Sequence, residues 1–197
     1  MAWATYQAQE SFCDFFGLKL FGTCYLHALA YLLAPGMVWR PTYYPSLFTR
    51  FENLVTAAKE YHIEVPDGFD NMVMQRPLPE HWSEREKFLT SLSDDALQQN
   101  VGDIIDLAKA IIKEIGIQLP SNKTANEIVE RFFEKTVPCR GKVGLANILN
   151  AAWKFIGQNE VWAGYAQMRH NERKCLMEIV LKAIEILEIE ERVGITP

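Results

Sequence analysis

The chain contains 197 residues, of which 49 % are hydrophobic and 23 % are charged, close to the average of soluble globular domains. A chain of this length buries about 70 % of its unfolded surface, so it can form a core without disulfides or metals. These values exclude a disordered chain, a collagen-like fibre and a disulfide scaffold. The net charge of −5 argues against nucleic acid as a partner.

The cysteines indicate a reducing compartment. Cys13, Cys24, Cys139 and Cys175 are all more than four residues apart, so no CxxC metal or redox motif exists. The first ten residues lack the basic segment of a secretory signal. We therefore expect free thiols and a cytoplasmic protein.

Residues 20–39 carry no formal charge and approach the length of a membrane span. Pro35 is expected to end the helix near Ala34, which leaves about 15 helical residues, or roughly 22 Å. The hydrocarbon core of a bilayer is about 30 Å thick. The segment is therefore predicted to be a buried core helix, and we expect no membrane partner.

Apolar residues recur at spacings of three and four along most of the chain, and alternation with a period of two is nearly absent. This pattern predicts eight helical segments: 3–16, 20–34, 45–61, 83–91, 93–115, 124–135, 143–156 and 169–192. The first break is placed near Gly17. The fold class is therefore all-α: one compact, irregular bundle of seven or eight helices over residues 1–197, with little or no sheet.

Local signals set several helix ends. Pro45 suits a first helical position, because its missing N–H is not needed there. Two pairs match the capping-box spacing, Ser83 with Glu86 and Thr124 with Glu127. Ser93 is predicted to cap a second helix after the short one, and Gly116 to end it.

No complete catalytic motif is present. The four histidines are too far apart for two of them to chelate a metal from one helix, and they are His27, His62, His81 and His170. The chain also lacks a nucleophile elbow, a phosphate loop and a dinucleotide-binding motif. We expect the isolated chain not to be an enzyme and to hold no cofactor. His27 is predicted to be a hydrogen-bonded core histidine.

Glu10 and Asp14 lie four residues apart and share one face of the first helix. One interpretation is a solvated acidic face. Their context, Gln-Glu-Ser-Phe-Cys-Asp-Phe-Phe-Gly-Leu followed by a helix of small and aromatic residues, resembles the E-x-x-x-D helix of gluzincin-type (HExxH) metallopeptidases. The resemblance covers residues 7–51 and includes a proline-to-arginine segment from Pro45 to Arg50. It implies that Glu10 is the third zinc ligand and that Asp14 orients a zinc-bound histidine.

The HExxH helix itself is missing from this sequence. The resemblance therefore implies the C-terminal helical part of a longer protein, or a relative that has lost the catalytic half. Zinc would then be a cofactor only with histidines from elsewhere.

Three functional hypotheses follow. The first is a non-catalytic helical domain that acts through protein–protein contacts with a partner protein or a second copy. Aromatic residues, which often anchor interfaces, support it in the predicted loops: Trp39, Tyr43, Tyr44 and Trp82. The second is the metallopeptidase portion. The third is an enzyme of an unrecognised class, with a pocket lined by His27 and by Glu10 or Asp14.

Overall fold

A computed structural model describes residues 2–33, 40, 42–117, 119–138, 143–156 and 170–194. These residues form seven α-helices and one short 3₁₀ turn, with no strand, which confirms the all-α prediction. The helices are α1 (Ala2–Phe21), α2 (Thr23–Leu33), α3 (Leu47–Tyr61), α4 (Glu84–Ile115), α5 (Asn122–Phe133), α6 (Leu145–Phe155) and α7 (His170–Arg192), and the turn is Phe69–Asn71. Within these ranges, no helix has both the length and the hydropathy of a membrane span.

The break between the first two helices lies at Gly22, so the prediction of a break near Gly17 is wrong. Gly22 has φ +66°, a conformation that a residue without a Cβ adopts easily. Gly17 stays helical, and a Cβ there would lie 2.5 Å from Cε2 of Tyr25. Position 17 therefore requires a glycine, because the Tyr25 ring on α2 packs directly against the backbone of α1.

Helix α4 is one helix of 32 residues, so the predicted division after Ser91 is wrong. Ser93 does not cap a new helix, because its hydroxyl donates to the carbonyl of Leu89 at 2.7 Å. The outer ends agree with the prediction: Ser83 forms a complete capping box with Glu86, and Gly116 ends the helix at φ +68°.

The remaining boundaries shift by a few residues. The N-cap of α3 is Ser46, so Pro45 precedes the cap and does not occupy the first helical position. The N-cap of α5 is Ser121, whose Oγ accepts from the backbone N–H of Thr124, so the predicted cap at Thr124 is also wrong. Helix α7 begins at His170, one residue from its predicted start.

Two hydrophobic cores lie side by side. The larger core joins α1, α2, α3 and α4, and Phe51 stacks on Phe69 within it, at a ring distance of 4.5 Å. The smaller core joins α5, α6 and α7. Its largest members are Ile128, Phe132, Ile148, Leu176 and Ile179. Helix α1 packs along α4, and α6 contacts both α1 and α2, so α6 connects the two cores.

The connection depends on the buried amide of Asn150 on α6. Its Oδ1 accepts from the backbone N–H of Cys24 at 2.9 Å, and its Nδ2 donates to the carbonyl of Phe21 at 2.6 Å. One side chain therefore bonds the last turn of α1 and the first turn of α2, where backbone groups lack partners within their helices.

Candidate functional site

The structure brings Glu10 and Asp14 together around a cation from α3. Asp14 is buried, and Arg50 donates to both of its oxygens, from Nε at 2.8 Å and from Nη2 at 2.7 Å. The hydroxyl of Tyr25 donates to Asp14 Oδ1 at 2.8 Å. Glu10 Oε2 lies 3.7 Å from Arg50 Nη2, so both carboxylates share one guanidinium.

Protonation in this cluster follows from burial and charge. Burial alone would lower the pKa of Arg50, but the hydrogen bonds and the charge of Asp14 raise it overall. Burial, and then the charge of Asp14, raise the pKa of Tyr25. Arg50 is therefore a cation and Tyr25 a neutral donor, so the cluster acts as a fixed ion pair that joins α1 to α3.

The zinc roles of Glu10 and Asp14 stay predictions. Both oxygens of Asp14 already accept hydrogen bonds, so a histidine would have to compete with Arg50 and Tyr25. In the part of the chain that the structure describes, no three His, Cys, Asp or Glu side chains are placed to hold a metal ion. Any zinc bound here would need ligands from outside these residues.

A cavity of about 300 Å³ lies where the two cores meet. It opens between α2, α5, α6 and the segment that follows α3. Its lining consists of Thr23, His27, Glu64, Val65, Pro66, Asp67, Asn126, Asn150, Trp153 and Lys154. The third hypothesis required a pocket that combines His27 with Glu10 or Asp14, and this cavity contains only the histidine.

His27 is 4 % exposed, and its ring stacks on that of Trp153 at 4.9 Å and 9°. Burial lowers the pKa of His27 to about 4, so the imidazole is neutral at neutral pH. The structure confirms the predicted core position. No hydrogen-bond partner for His27 Nδ1 exists among the residues described, so that atom lacks the bond that we expected.

Lys154 also lines this cavity. Its Nζ bonds the amide oxygens of Asn126 at 3.0 Å and Asn122 at 3.5 Å, and it makes no ion pair with any described residue. Neutral amides therefore hold the cation of Lys154 without cancelling its charge.

A smaller cavity of about 130 Å³ lies next to the first. It shares Thr23, Glu64 and Asn150 with the first cavity and extends to Lys19.

A third surface lies on the outer side of α7. Met177 and Leu181 are each 55 % exposed, and Ile184 is half-buried. Leu176, Ile179 and Ala183 face the smaller core instead. The helix is thus apolar on two sides, and its own core covers only one of them.

The aromatic residues of the predicted loops contribute less surface than we expected. Trp82 is 8 % exposed and belongs to the interior, whereas Tyr43 is 44 % exposed and contacts Tyr6 and Tyr44. Trp39 lies outside the described residues. The exposed apolar face of α7 was not expected, because the sequence shows one apolar stripe and does not show how much of the helix the neighbours cover.

Comparison of the chain with models of known families, with curated proteins and with solved structures gives no match.

Proposed function

We propose that this chain is a non-catalytic helical domain that acts through protein–protein contact, and that the outer face of α7 pairs with the same face of a second copy. The observation that supports this is a self-complementary row of side chains on α7. The row consists of Lys174, Met177, Leu181, Ile184 and Glu188.

The spacings along this row are three and four residues, so its members lie within about 80° of one another around the helix axis. Met177, Leu181 and Ile184 form the apolar centre, and opposite charges stand at the ends. Surface helices usually present polar residues on the side away from their core. An apolar centre on that side is typical of a contact surface.

The charges favour a second copy as the partner. In an antiparallel pair of α7 helices with a two-fold axis at Leu181, Lys174 of one copy lies opposite Glu188 of the other. A two-fold interface requires this kind of self-complementarity. Within one chain, Lys174 pairs with Glu178 and Glu188 pairs with Arg192. Both pairs are exposed, so each is a weak interaction that costs little to replace.

Sedimentation equilibrium at protein concentrations from about 1 to about 200 µM tests the proposal, because the dissociation constants of transient dimers fall in this range. We expect the native chain to form dimers at the upper end, and Leu181→Glu to weaken the dimer at least tenfold. Leu107→Glu is the matched control, since Leu107 is 53 % exposed and lies on α4, which belongs to the larger core and not to the core of α7. A monomer at every concentration, or an equal effect of the control, would contradict the proposal.

A charge exchange tests the orientation. Lys174→Glu should weaken the dimer by repulsion from Glu188 of the other copy, and adding Glu188→Lys should restore it. If the double variant stays as weak as the single one, the antiparallel arrangement is wrong.

A further inference from the structure

The cavity beside His27, distinct from the face of α7, has walls of opposite charge. Lys154 stands on the α6 side, and Glu64 and Asp67 stand on the segment after α3. None of these three side chains forms an ion pair with another described residue. Their charges are therefore available to a ligand rather than used within the fold.

The α6 side is suited to a carboxylate. Two amide oxygens, from Asn122 and Asn126, hold the ammonium group of Lys154 in place. An amide that accepts from Lys154 through its oxygen still has an NH₂ group that can donate. A carboxylate here would meet a positioned cation together with the amide of Asn126, which also lines the cavity, and charge-assisted hydrogen bonds are the stronger kind.

The segment after α3 is suited to an ammonium group. Glu64 and Asp67 are exposed at the mouth of the cavity, and their carboxylates only accept hydrogen bonds. The hydroxyl of Thr23 donates to the backbone carbonyl of Glu64 at 3.0 Å, which fixes this segment against α2. The acidic side therefore keeps its position relative to Lys154.

The inner wall is formed by two stacked aromatic rings, those of His27 and Trp153. His27 is more than nine-tenths buried, lines the cavity and has a ring nitrogen without a partner among the residues described. Burial lowers the pKa of this imidazole to about 4, so it adds no charge to the cavity at neutral pH. Beside it, the indole of Trp153 offers apolar surface.

We propose that this cavity binds a small zwitterion of the α-amino-acid class, with its carboxylate at Lys154 and its ammonium group at Glu64 and Asp67. A volume of about 300 Å³ lies at the small end of the range for ligand pockets. The mixed charge of the walls disfavours a simple anion or a simple cation, since each would face a like charge.

Binding can be tested by calorimetric titration of the full chain with each of the twenty standard L-amino acids. We expect at least one to bind with a dissociation constant of about 1 mM or tighter. For that amino acid, the matched amine without the carboxylate and the matched acid without the ammonium group should each bind at least tenfold more weakly. No binding by any of the twenty, or equal binding by either analogue, would overturn the proposal.

Substitutions locate the site. Lys154→Met and Asp67→Asn should each weaken binding at least tenfold while the circular dichroism spectrum stays unchanged. Lys113→Met and Asp103→Asn, at exposed positions on α4, are the matched controls and should leave binding intact. Binding that survives both cavity variants, or that falls equally in the controls, would show that the amino acid binds elsewhere.

Discussion

Arg50 on α3 forms a bidentate ion pair with Asp14 on α1, and the two side chains are only 17 % and 3 % exposed. The pair is a polar contact between two helices that also meet through the larger core. Within this pair the carboxylate depends on one guanidinium for charge compensation, with Tyr25 as a neutral donor.

Removing Arg50 should therefore be costly. Arg50→Met leaves the Asp14 carboxylate buried without its cation, and we expect a loss of about 3–5 kcal/mol in the free energy of unfolding, measured by urea titration. Arg131→Met is the control, because Arg131 pairs with Glu134 at the surface and should cost at most about 1 kcal/mol. Adding Asp14→Leu to Arg50→Met should recover a large part of the loss; a double variant no better than the single one would show that the charge is not the cause.

Two helical glycines should respond to alanine in opposite directions. A Cβ at Gly17 would meet the Tyr25 ring at 2.5 Å, whereas at Gly102 nothing lies within 4 Å. Gly102→Ala should stabilise the protein by about 0.5–1 kcal/mol, because alanine loses less backbone entropy in a helix. Gly17→Ala should lower the melting temperature because α2 must shift away from α1. Equal shifts in the two variants would contradict the packing of Tyr25 on α1.

Asn150 should matter more than an ordinary helix asparagine. Asn150→Ala removes the bonds to Cys24 and Phe21 and leaves the buried N–H of Cys24 unpaired, at a cost of about 1–3 kcal/mol. Asn100→Ala is the control, since the side chain of the exposed Asn100 donates to the carbonyl of Ala96 within its own helix. Amide hydrogen exchange provides the local measurement, and the Cys24 amide should exchange faster in Asn150→Ala. Unchanged exchange there would contradict the capping role.

His27 should make the fold sensitive to acid. Its pKa is about 4 in the folded chain and about 6.5 when unfolded, so between these values the unfolded state binds more protons. The contribution of the neutral His27 to the free energy of unfolding is complete above pH 6.5 and is lost as the pH falls towards 4. The free energy of unfolding should therefore fall by about 2 kcal/mol between pH 7.5 and pH 5. Urea titrations of the native chain and of His27→Leu at these two pH values measure it. A pH dependence as steep in His27→Leu as in the native chain would assign the effect to other groups.

Features that depend on neighbours in sequence were predictable. Ser83 and Glu86 lie three residues apart and bond each other, so the start of α4 follows from local spacing. The predicted cap at Ser93 was wrong because its hydroxyl donates to the carbonyl of Leu89 within the helix and does not cap a new one. The predicted break near Gly17 was wrong because the reason for a glycine there is a ring on another helix.

The chemistry of the sites depends on distant partners. Glu10 and Asp14 share a face by helix geometry alone, but the cation between them comes from position 50. Asn150 and Cys24 are separated by 126 residues, and nothing in the spacing of apolar residues along α6 distinguishes that amide from a surface one. The pairing of His27 with Trp153 is likewise tertiary.

The division of the interior into two cores has a consequence for how the protein unfolds. The smaller core holds few large side chains, and α7 supplies Leu176 and Ile179 to it from the same helix that bears the proposed contact. Association through α7 would therefore add stability to α5–α7 by mass action. On dilution these three helices would lose that added stability, and because Asn150 of α6 bonds α1 and α2, the junction of the two cores would weaken with them.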